Sequence, residues 1–240
     1  EMTVGQCPRF ALGTAGIGDL SHYGVPNPQT ADGPAGVRRS IPTTCFPCAT
    51  LIGCSFDSEL QQAMGRAMGI EALECGVDIL LAPGLNIQRH VLCGRNFEYY
   101  SEDPLVSGKC GAAAIRGVQS QKTAVSMKHF ACNNKEANRY QNDSRISERA
   151  LREIYLKGFE IAIKKGKATS VMTTYGAVNG RWTAGSYDLN TTILRNEWGF
   201  GGLVMTDWWM QYTNSPEFPE IKDNGYRVRA GVDVLMPGGK

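Results

Sequence analysis

Short apolar runs alternate with amphipathic stretches along most of this 240-residue chain. The runs with the length of a buried strand fall at residues 77–82, 123–127, 170–174, 202–205 and 232–236. Between them, apolar residues three and four positions apart predict helices over residues 57–74, 105–119, 148–164 and Asp188–Glu197. Ser55 and Ser147 are the predicted N-caps of the first and third of these helices.

This alternation predicts an α/β fold built on a parallel sheet. Strands that are apolar almost throughout are typical of parallel sheets with both faces covered. Weaker strand candidates at residues 10–12 and 46–51 bring the expected total to about seven, close to the eight strands of a closed barrel. The sequence therefore favours a (β/α)8-like TIM barrel that is incomplete or lacks its last helix. An open doubly wound sheet is the alternative, although the glycines of residues 13–18 do not have dinucleotide-binding spacing.

Composition and charge limit the kinds of binding partner that are expected. Hydrophobic residues make up 42% of the chain and charged residues 20%, which excludes disorder. The 25 basic and 23 acidic residues form no basic stripe, so nucleic acid is not an expected partner. No apolar run approaches the roughly 18 residues that span a bilayer, so no membrane partner is expected either. Because the chain starts without Met and ends directly after an apparent strand, we expect residues 1–240 to be one domain of a longer polypeptide.

The eight cysteines are too sparse for a disulfide scaffold. Several lie in apolar stretches, so buried free thiols are expected, and these indicate a reducing compartment such as the cytoplasm. Cys45 and Cys48 have CxxC spacing, but no second pair or histidine follows at the distance typical of a zinc site. The sequence therefore predicts neither a metal nor a cofactor.

Chemically versatile side chains follow several of the predicted strands. They are Asp32 in an acidic turn, Arg95 and Glu98, Lys128 and His129, Tyr175, and Asp207 with Trp208. In a parallel α/β barrel the carboxyl ends of the strands carry the functional groups, so we expect these side chains to meet. Carboxylates and cations bind sugar hydroxyls, an indole packs on a sugar ring, and cations hold a nucleophilic aspartate ionised. Carbohydrate chemistry is therefore one candidate function.

Five motifs occur in order along the chain. They are residues 32–38 (DGPAGVR), 94–104 (GRNFEYYSEDP), 128–130 (KHF), 199–208 (GFGGLVMTDW) and 230–238 (AGVDVLMPG). Together they resemble glycoside hydrolase family 3, and the resemblance covers most of the chain. It implies a barrel-like catalytic domain and a retaining β-glycosidase similar to the β-glucosidases.

The resemblance also implies roles for individual residues. Asp207 would be the nucleophile that forms a covalent glycosyl-enzyme, which water then hydrolyses with retention. Sugar-binding positions would be Asp32, Arg95, Lys128, His129, Tyr175 beside the nucleophile and Trp208 in the pocket wall. The implied substrates are β-glucosides and cello-oligosaccharides. Residues 131–136 (ACNNKE) do not continue as in the family's N-acetylglucosaminidase branch, which favours a glucoside or a xyloside.

Several alternatives stay open at this point. In the β-glucosidase branch the acid/base carboxylate usually comes from an α/β-sandwich domain, which we expect in the rest of the polypeptide. Glu98 and Glu136 are the conceivable substitutes within the chain. Without an acid/base group, the barrel would bind sugar with little turnover. A Schiff-base aldolase that uses Lys128 is a third hypothesis.

The same residues also fit structural roles. Asp32 before Gly-Pro suits a turn without any function. Arg95 and Glu98 are close enough in sequence to pair with each other. Trp208 and its neighbour Trp209 suit the hydrophobic core.

Overall fold

The computed structural model describes residues 21–24, 26–210 and 224–236. Strands in this part of the chain are β1 (Thr30–Asp32), β2 (Ile79–Leu81), β3 (Ala124–Phe130), β4 (Asp143–Ser144), β5 (Ser170–Thr173), β6 (Ala177–Val178), β7 (Arg181–Trp182) and β8 (Leu203–Met205). Five of them form a parallel sheet in the order β1-β2-β3-β5-β8. Val234 bridges to Met205 in parallel beyond β8. β4, β6 and β7 form a second, smaller sheet.

Side chains of the central strands alternate between two apolar clusters. Leu80, Val125 and Val204 belong to the larger cluster, which includes residues of the helices. The smaller cluster lies on the opposite face and contains Ile79, Leu81, Met172, Met205, Val234 and Met236. Because successive strand residues point to opposite faces, both faces of the sheet are buried. This explains why the strands are apolar throughout and confirms the parallel sheet that the sequence predicts.

Helices fill the connections between the parallel strands. They are α1 (Ala49–Gly53), α2 (Ser58–Glu74), α3 (Pro104–Gln119), the composite helix α4 over residues 148–166, α5 (Asp188–Glu197) and α6 (Asn224–Arg229). Segments of α4 alternate between α-helix and π-helix, and α5 is π-helical. Among the described residues, no helix has both the length and the hydropathy that crossing a membrane requires.

Two predictions about elements near the site are wrong. Residues 46–51 do not form a strand but lead into α1, because a short apolar run does not distinguish strand from helix. Asp32 does not sit in a turn, since it is the last residue of β1 and the turn follows it. The other weak strand candidate, residues 10–12, lies outside the described residues.

The predicted helix caps have mixed outcomes. Ser147 caps α4 as predicted, accepting from the Ala150 N–H at 3.3 Å. Ser55 does not cap α2, because Asp57 holds that position and its carboxylate accepts from the first free N–H groups of the helix. An aspartate directly before the helix outcompetes a serine two residues earlier because its side chain is in reach of those groups.

Seven cysteines are described, and all are free thiols. Cys93, Cys110 and Cys132 are buried, as predicted. Cys45 and Cys54 are exposed, which contradicts the prediction of buried thiols. They flank α1, a short helix that turns only some of its residues toward the core. The reducing compartment stays a prediction.

Candidate active site

The carboxyl ends of the parallel strands bring together the side chains that the sequence singled out. They come from the end of β1 (Asp32), the loop after β2 (Arg95 and Glu98), the end of β3 (Lys128 and His129), the residues after β5 (Tyr175) and those after β8 (Asp207 and Trp208). Parallel strands end at one edge of the sheet, so residues far apart in sequence become neighbours.

An irregularity in β3 allows two consecutive residues to serve the site. The pairing of β3 with β5 shifts register between Met127 and Phe130. In a regular strand the intervening side chains would point to opposite faces, whereas a bulge redirects one of them. Lys128 and His129 are both buried, and both contact other residues of the site. The Lys128–His129 and Phe130–Ala131 peptide bonds are cis.

Lys128 lies between two carboxylates. Its Nζ is 3.0 Å from Oδ1 of Asp32 and 3.7 Å from Oε2 of Glu98. Burial lowers the pKa of Lys128, but the neighbouring carboxylates of Glu98 and Asp32 raise it above its ordinary value. Burial likewise opposes ionisation of Asp32, yet Lys128 brings the pKa of Asp32 below its ordinary value. The pair is therefore an ammonium and a carboxylate, with the carboxylate side partly open to solvent.

Arg95 connects most of the remaining groups. Its Nη1 lies 3.2 Å from Oε1 of Glu98 and 2.7 Å from Nε2 of His129. Its Nε lies 3.1 Å from Oε1 of Glu136, whose other oxygen pairs with Arg139 at 3.3 Å. Burial lowers the pKa of Arg95, but the carboxylates around it, Glu98 first, raise it above its ordinary value. The guanidinium is thus a fixed cation with a set orientation.

His129 is neutral in this setting. Burial, with Lys128 and Arg95 nearby, holds the pKa of His129 well below its ordinary value. Its Nε2 lies 3.7 Å from Oδ2 of Asp207. An uncharged imidazole forms no ion pair with Asp207. The charges that favour the ionised Asp207 carboxylate are therefore those of Arg95 and Lys128.

Asp207 is buried, and only one of its two carboxylate oxygens accepts a hydrogen bond among the described residues. Its Oδ1 accepts a hydrogen bond from the Trp208 backbone N–H at 2.7 Å, while Oδ2 has no hydrogen-bond partner among the described residues. Burial raises the pKa of Asp207, and Arg95, Lys128 and the Tyr175 hydroxyl oppose that rise. The cations act as the sequence predicted, but burial outweighs them.

The Tyr175 hydroxyl and the Trp208 backbone N–H both interact with this carboxylate. Arg139 stacks over the Tyr175 ring at 4.1 Å from its centroid, and burial raises the pKa of Tyr175 so that its hydroxyl keeps its proton. Trp208 is half-buried against the smaller apolar cluster. Its neighbour Trp209 is exposed.

A cavity of about 660 Å³ opens beside the charged cluster. Its walls include Asp32, Arg95, Glu98, Lys128 and Glu136, together with Phe97 and residues 33–39 and 43–45. This volume suits a small polar molecule. The charged groups can pair with hydroxyls, and the phenyl ring of Phe97 offers an apolar contact.

All seven predicted site residues reach the carboxyl edge, but the sequence missed several groups that hold them. Tyr99 and Asn133 contact the site from behind: the Asn133 side-chain amide donates to the Tyr99 hydroxyl at 2.9 Å. Arg139 stacks on Tyr175. Asn133, Glu136 and Arg139 follow the KHF motif closely, so their proximity to it was the available signal.

The Schiff-base alternative finds little support here. A Schiff-base lysine must lose its proton, whereas the carboxylates beside Lys128 keep it charged. No group of three or more His, Cys, Asp or Glu residues suited to a metal ion occurs in the described ranges. The charged side chains can bind hydroxyl groups, and the Asp207 carboxylate beside them has one oxygen without a hydrogen-bond partner among the described residues.

Comparisons with known proteins agree with this geometry. Residues 19–239 match the profile described as the glycosyl hydrolase family 3 N terminal domain. A beta-glucosidase of Ruminococcus albus is 49% identical over 240 residues, covering 97% of this chain and 25% of its own length. Beta-glucosidase A of Butyrivibrio fibrisolvens is 52% identical over 200 residues, covering 82% of this chain and 24% of its own. The chain therefore spans about a quarter of the length of these relatives.

A solved structure extends the comparison to the fold. Beta-glucosidase 3B from Thermotoga neapolitana, in complex with alpha-D-glucose, superposes with a TM-score of 0.85 at 44% identity. The match covers 93% of this chain and 31% of that one. The TIM-barrel-like α/β fold that the sequence predicts is confirmed.

Proposed function

Because the chain belongs to glycosyl hydrolase family 3, we propose that it is the sugar-binding barrel of a retaining β-glucosidase that removes terminal β-D-glucosyl residues. The observation that carries this proposal is Asp207, a buried carboxylate whose Oδ2 has no partner within the described ranges. A nucleophile needs a free lone pair next to the reacting carbon. The substrates would be β-glucosides and cello-oligosaccharides.

In this proposal the charged cluster binds the glucosyl hydroxyls. Asp32 accepts from hydroxyls, while Lys128 and Arg95 donate to them. Lys128 pairs with Asp32 and Glu98, and Glu98 also pairs with Arg95, so these side chains are held in place before the sugar arrives. Trp208 packs against the ring. Preorganised groups of this kind reduce the cost of ordering on binding.

Asp207 then acts in two steps. Its Oδ2 attacks the anomeric carbon while the bond from that carbon to the leaving oxygen breaks and the leaving oxygen takes a proton from an acid. Water next attacks the same carbon, gives its proton to the resulting base, and releases the Asp207 carboxylate. Two inversions give net retention.

The acid/base group is proposed to come from another part of a longer polypeptide. Glu98 and Glu136 are the acidic candidates in the site, but both pair with Arg95, at 3.2 and 3.1 Å. Their contacts suit the orientation of that cation better than the delivery of a proton. The matched relatives, about four times as long as the aligned region, leave room for such a group.

Covalent trapping tests the proposal. The protein is incubated with a dinitrophenyl 2-deoxy-2-fluoro-β-glucoside, whose leaving group needs no acid, and its intact mass and peptide map are measured. We expect one fluoroglucosyl group on Asp207 and none in Asp207→Asn. Asp188→Asn is the matched control, because Asp188 forms an exposed pair with Arg181 at 2.6 Å and should leave labelling intact.

Other outcomes of the trapping experiment would favour one of the alternative functions. Faster labelling by the corresponding fluoroxyloside would indicate β-xylosidase specificity. Stabilisation by glucose without any adduct would indicate a sugar-binding barrel and contradict the assignment of Asp207 as nucleophile.

A further inference from the structure

Tyr99 lies fully buried behind His129. Its backbone is anchored, since its carbonyl oxygen accepts from Thr50 Oγ1 at 3.1 Å and from Gln88 Nε2 at 2.8 Å. Its hydroxyl lies 3.0 Å from Nδ1 of His129 and accepts from the Asn133 amide at 2.9 Å. The phenol is therefore fixed from two directions at the back of a site histidine.

These contacts define where the imidazole proton sits. A guanidinium has only donors, so at 2.7 Å from Arg95 Nη1 the Nε2 of His129 must accept. A neutral imidazole then carries its proton on Nδ1, and Nδ1–H donates to the Tyr99 oxygen. Burial and Glu98 raise the pKa of Tyr99 well above its ordinary value, so the phenol remains an uncharged acceptor.

The position of this proton matters for Asp207. Nε2 of His129 lies 3.7 Å from the free Oδ2 of Asp207. With the proton on Nε2, the imidazole would no longer accept from Arg95 and would instead present a donor 3.7 Å from that oxygen. A hydrogen bond to Oδ2 would stabilise the carboxylate anion and so reduce its reactivity as a nucleophile.

We propose that Tyr99 is a positioning residue that keeps the proton of His129 on Nδ1 and so leaves Oδ2 of Asp207 free to react. The link to Asp207 rests on the proposed function, whereas the proton position does not. Tyr99 acts through His129 and does not touch the sugar.

Nuclear magnetic resonance of the protein with 15N-labelled histidine tests the proton position directly. The chain has three histidines, so His22→Asn and His90→Asn variants assign the His129 signals. We expect His129 to be protonated at Nδ1 and unprotonated at Nε2. A proton on Nε2 of the unsubstituted protein would overturn the proposal, and this measurement needs no variant of Tyr99 that folds.

Tyr99→Phe tests the cause. Without Tyr99 Oη the buried Nδ1–H has no acceptor, so His129 should shift toward the Nε2–H form with Nε2 displaced from Arg95 Nη1. This change should lower kcat for an aryl β-glucoside about tenfold with little change in KM, and move the acid limb of kcat/KM to lower pH. The last effect follows because a donated hydrogen bond lowers the pKa of Asp207. A merely structural defect would not move the acid limb in that direction. An unchanged tautomer in Tyr99→Phe would contradict the role of Tyr99.

Tyr100→Phe is the matched control. Tyr100 is the adjacent buried tyrosine, and its hydroxyl makes no hydrogen bond to the site residues that the structure describes. We expect it to leave the tautomer, kcat and acid limb unchanged. An Nδ1–H tautomer combined with no fluoroglucosyl adduct on Asp207 would overturn the nucleophile assignment while supporting the contact with Tyr99.

Discussion

Asp32 and Asp207 stand at the ends of two strands of one sheet, yet their surroundings differ. Asp32 is partly exposed and paired with Lys128 at 3.0 Å, and that cation brings the pKa of Asp32 below its ordinary value despite partial burial. Asp207 is buried with Oδ2 unpaired among the described residues, and burial raises the pKa of Asp207. Two carboxylates whose pKa values are pushed apart are suited to different tasks. This difference supports the proposed roles of Asp32 in recognition and of Asp207 in bond formation.

The largest expected effect on turnover comes from Asp207→Asn. Loss of the proposed nucleophile should lower kcat for an aryl β-glucoside about a thousandfold or more. Stability should not fall: a pKa raised by folding means that the ionised carboxylate destabilises the folded state above that pKa, and an amide removes the charge. The variant should melt at the same temperature or higher at pH 7. A clear drop in melting temperature would show that Asp207 is a structural anion like Asp32.

Lys128→Met should have the next largest effect and should lower both turnover and stability. It leaves Asp32 and Glu98 without the cation between them, and about 2 kcal/mol of stability is expected to be lost, reduced by the partial exposure of Asp32. We expect kcat/KM to fall about a hundredfold, mainly through KM. Chemical denaturation and glucoside kinetics measure the two losses. Unchanged stability would mean that the buried ion pair does not organise this side of the site.

The sequence predicts the charged groups of the site better than the residues that hold them in place. Asp207 and Lys128 were found because each directly follows an apolar run, and the topology alone carries such residues to one edge. Tyr99 was missed because its role depends on a hydroxyl packed behind His129, a contact with no sequence signature. The 46–51 run was misassigned because its few apolar residues fit strand and helix equally.

Tyr175→Phe should have a smaller effect on turnover, and the pH dependence of kcat/KM should reveal its cause. The Tyr175 hydroxyl helps to hold down the pKa of Asp207, so its removal should raise that pKa further. Because the proposed nucleophile must be ionised, the acid limb of kcat/KM should move to higher pH, and kcat should fall about tenfold. This shift is opposite to the one expected for Tyr99→Phe. A dinitrophenyl glucoside isolates it, since that leaving group needs no proton. An acid limb that stays in place would disconnect Tyr175 from Asp207.

The smallest effect on turnover is expected at Gly65, which lies in the helical layer away from both carboxylates. A Cβ at Gly65 would come 2.6 Å from the Ala114 carbonyl oxygen, so Gly65→Ala should force α2 from α3 and cost about 1–3 kcal/mol of stability. Ala67→Ser on the exposed side of α2 is the matched control and should stay within about 0.5 kcal/mol. Both variants should keep kcat/KM and its acid limb at 25 °C, because neither changes the charges around Asp32 or Asp207. If Gly65→Ala also moved the acid limb, helix packing would be setting the pKa of Asp207, and the contrast between the two carboxylates would not be local.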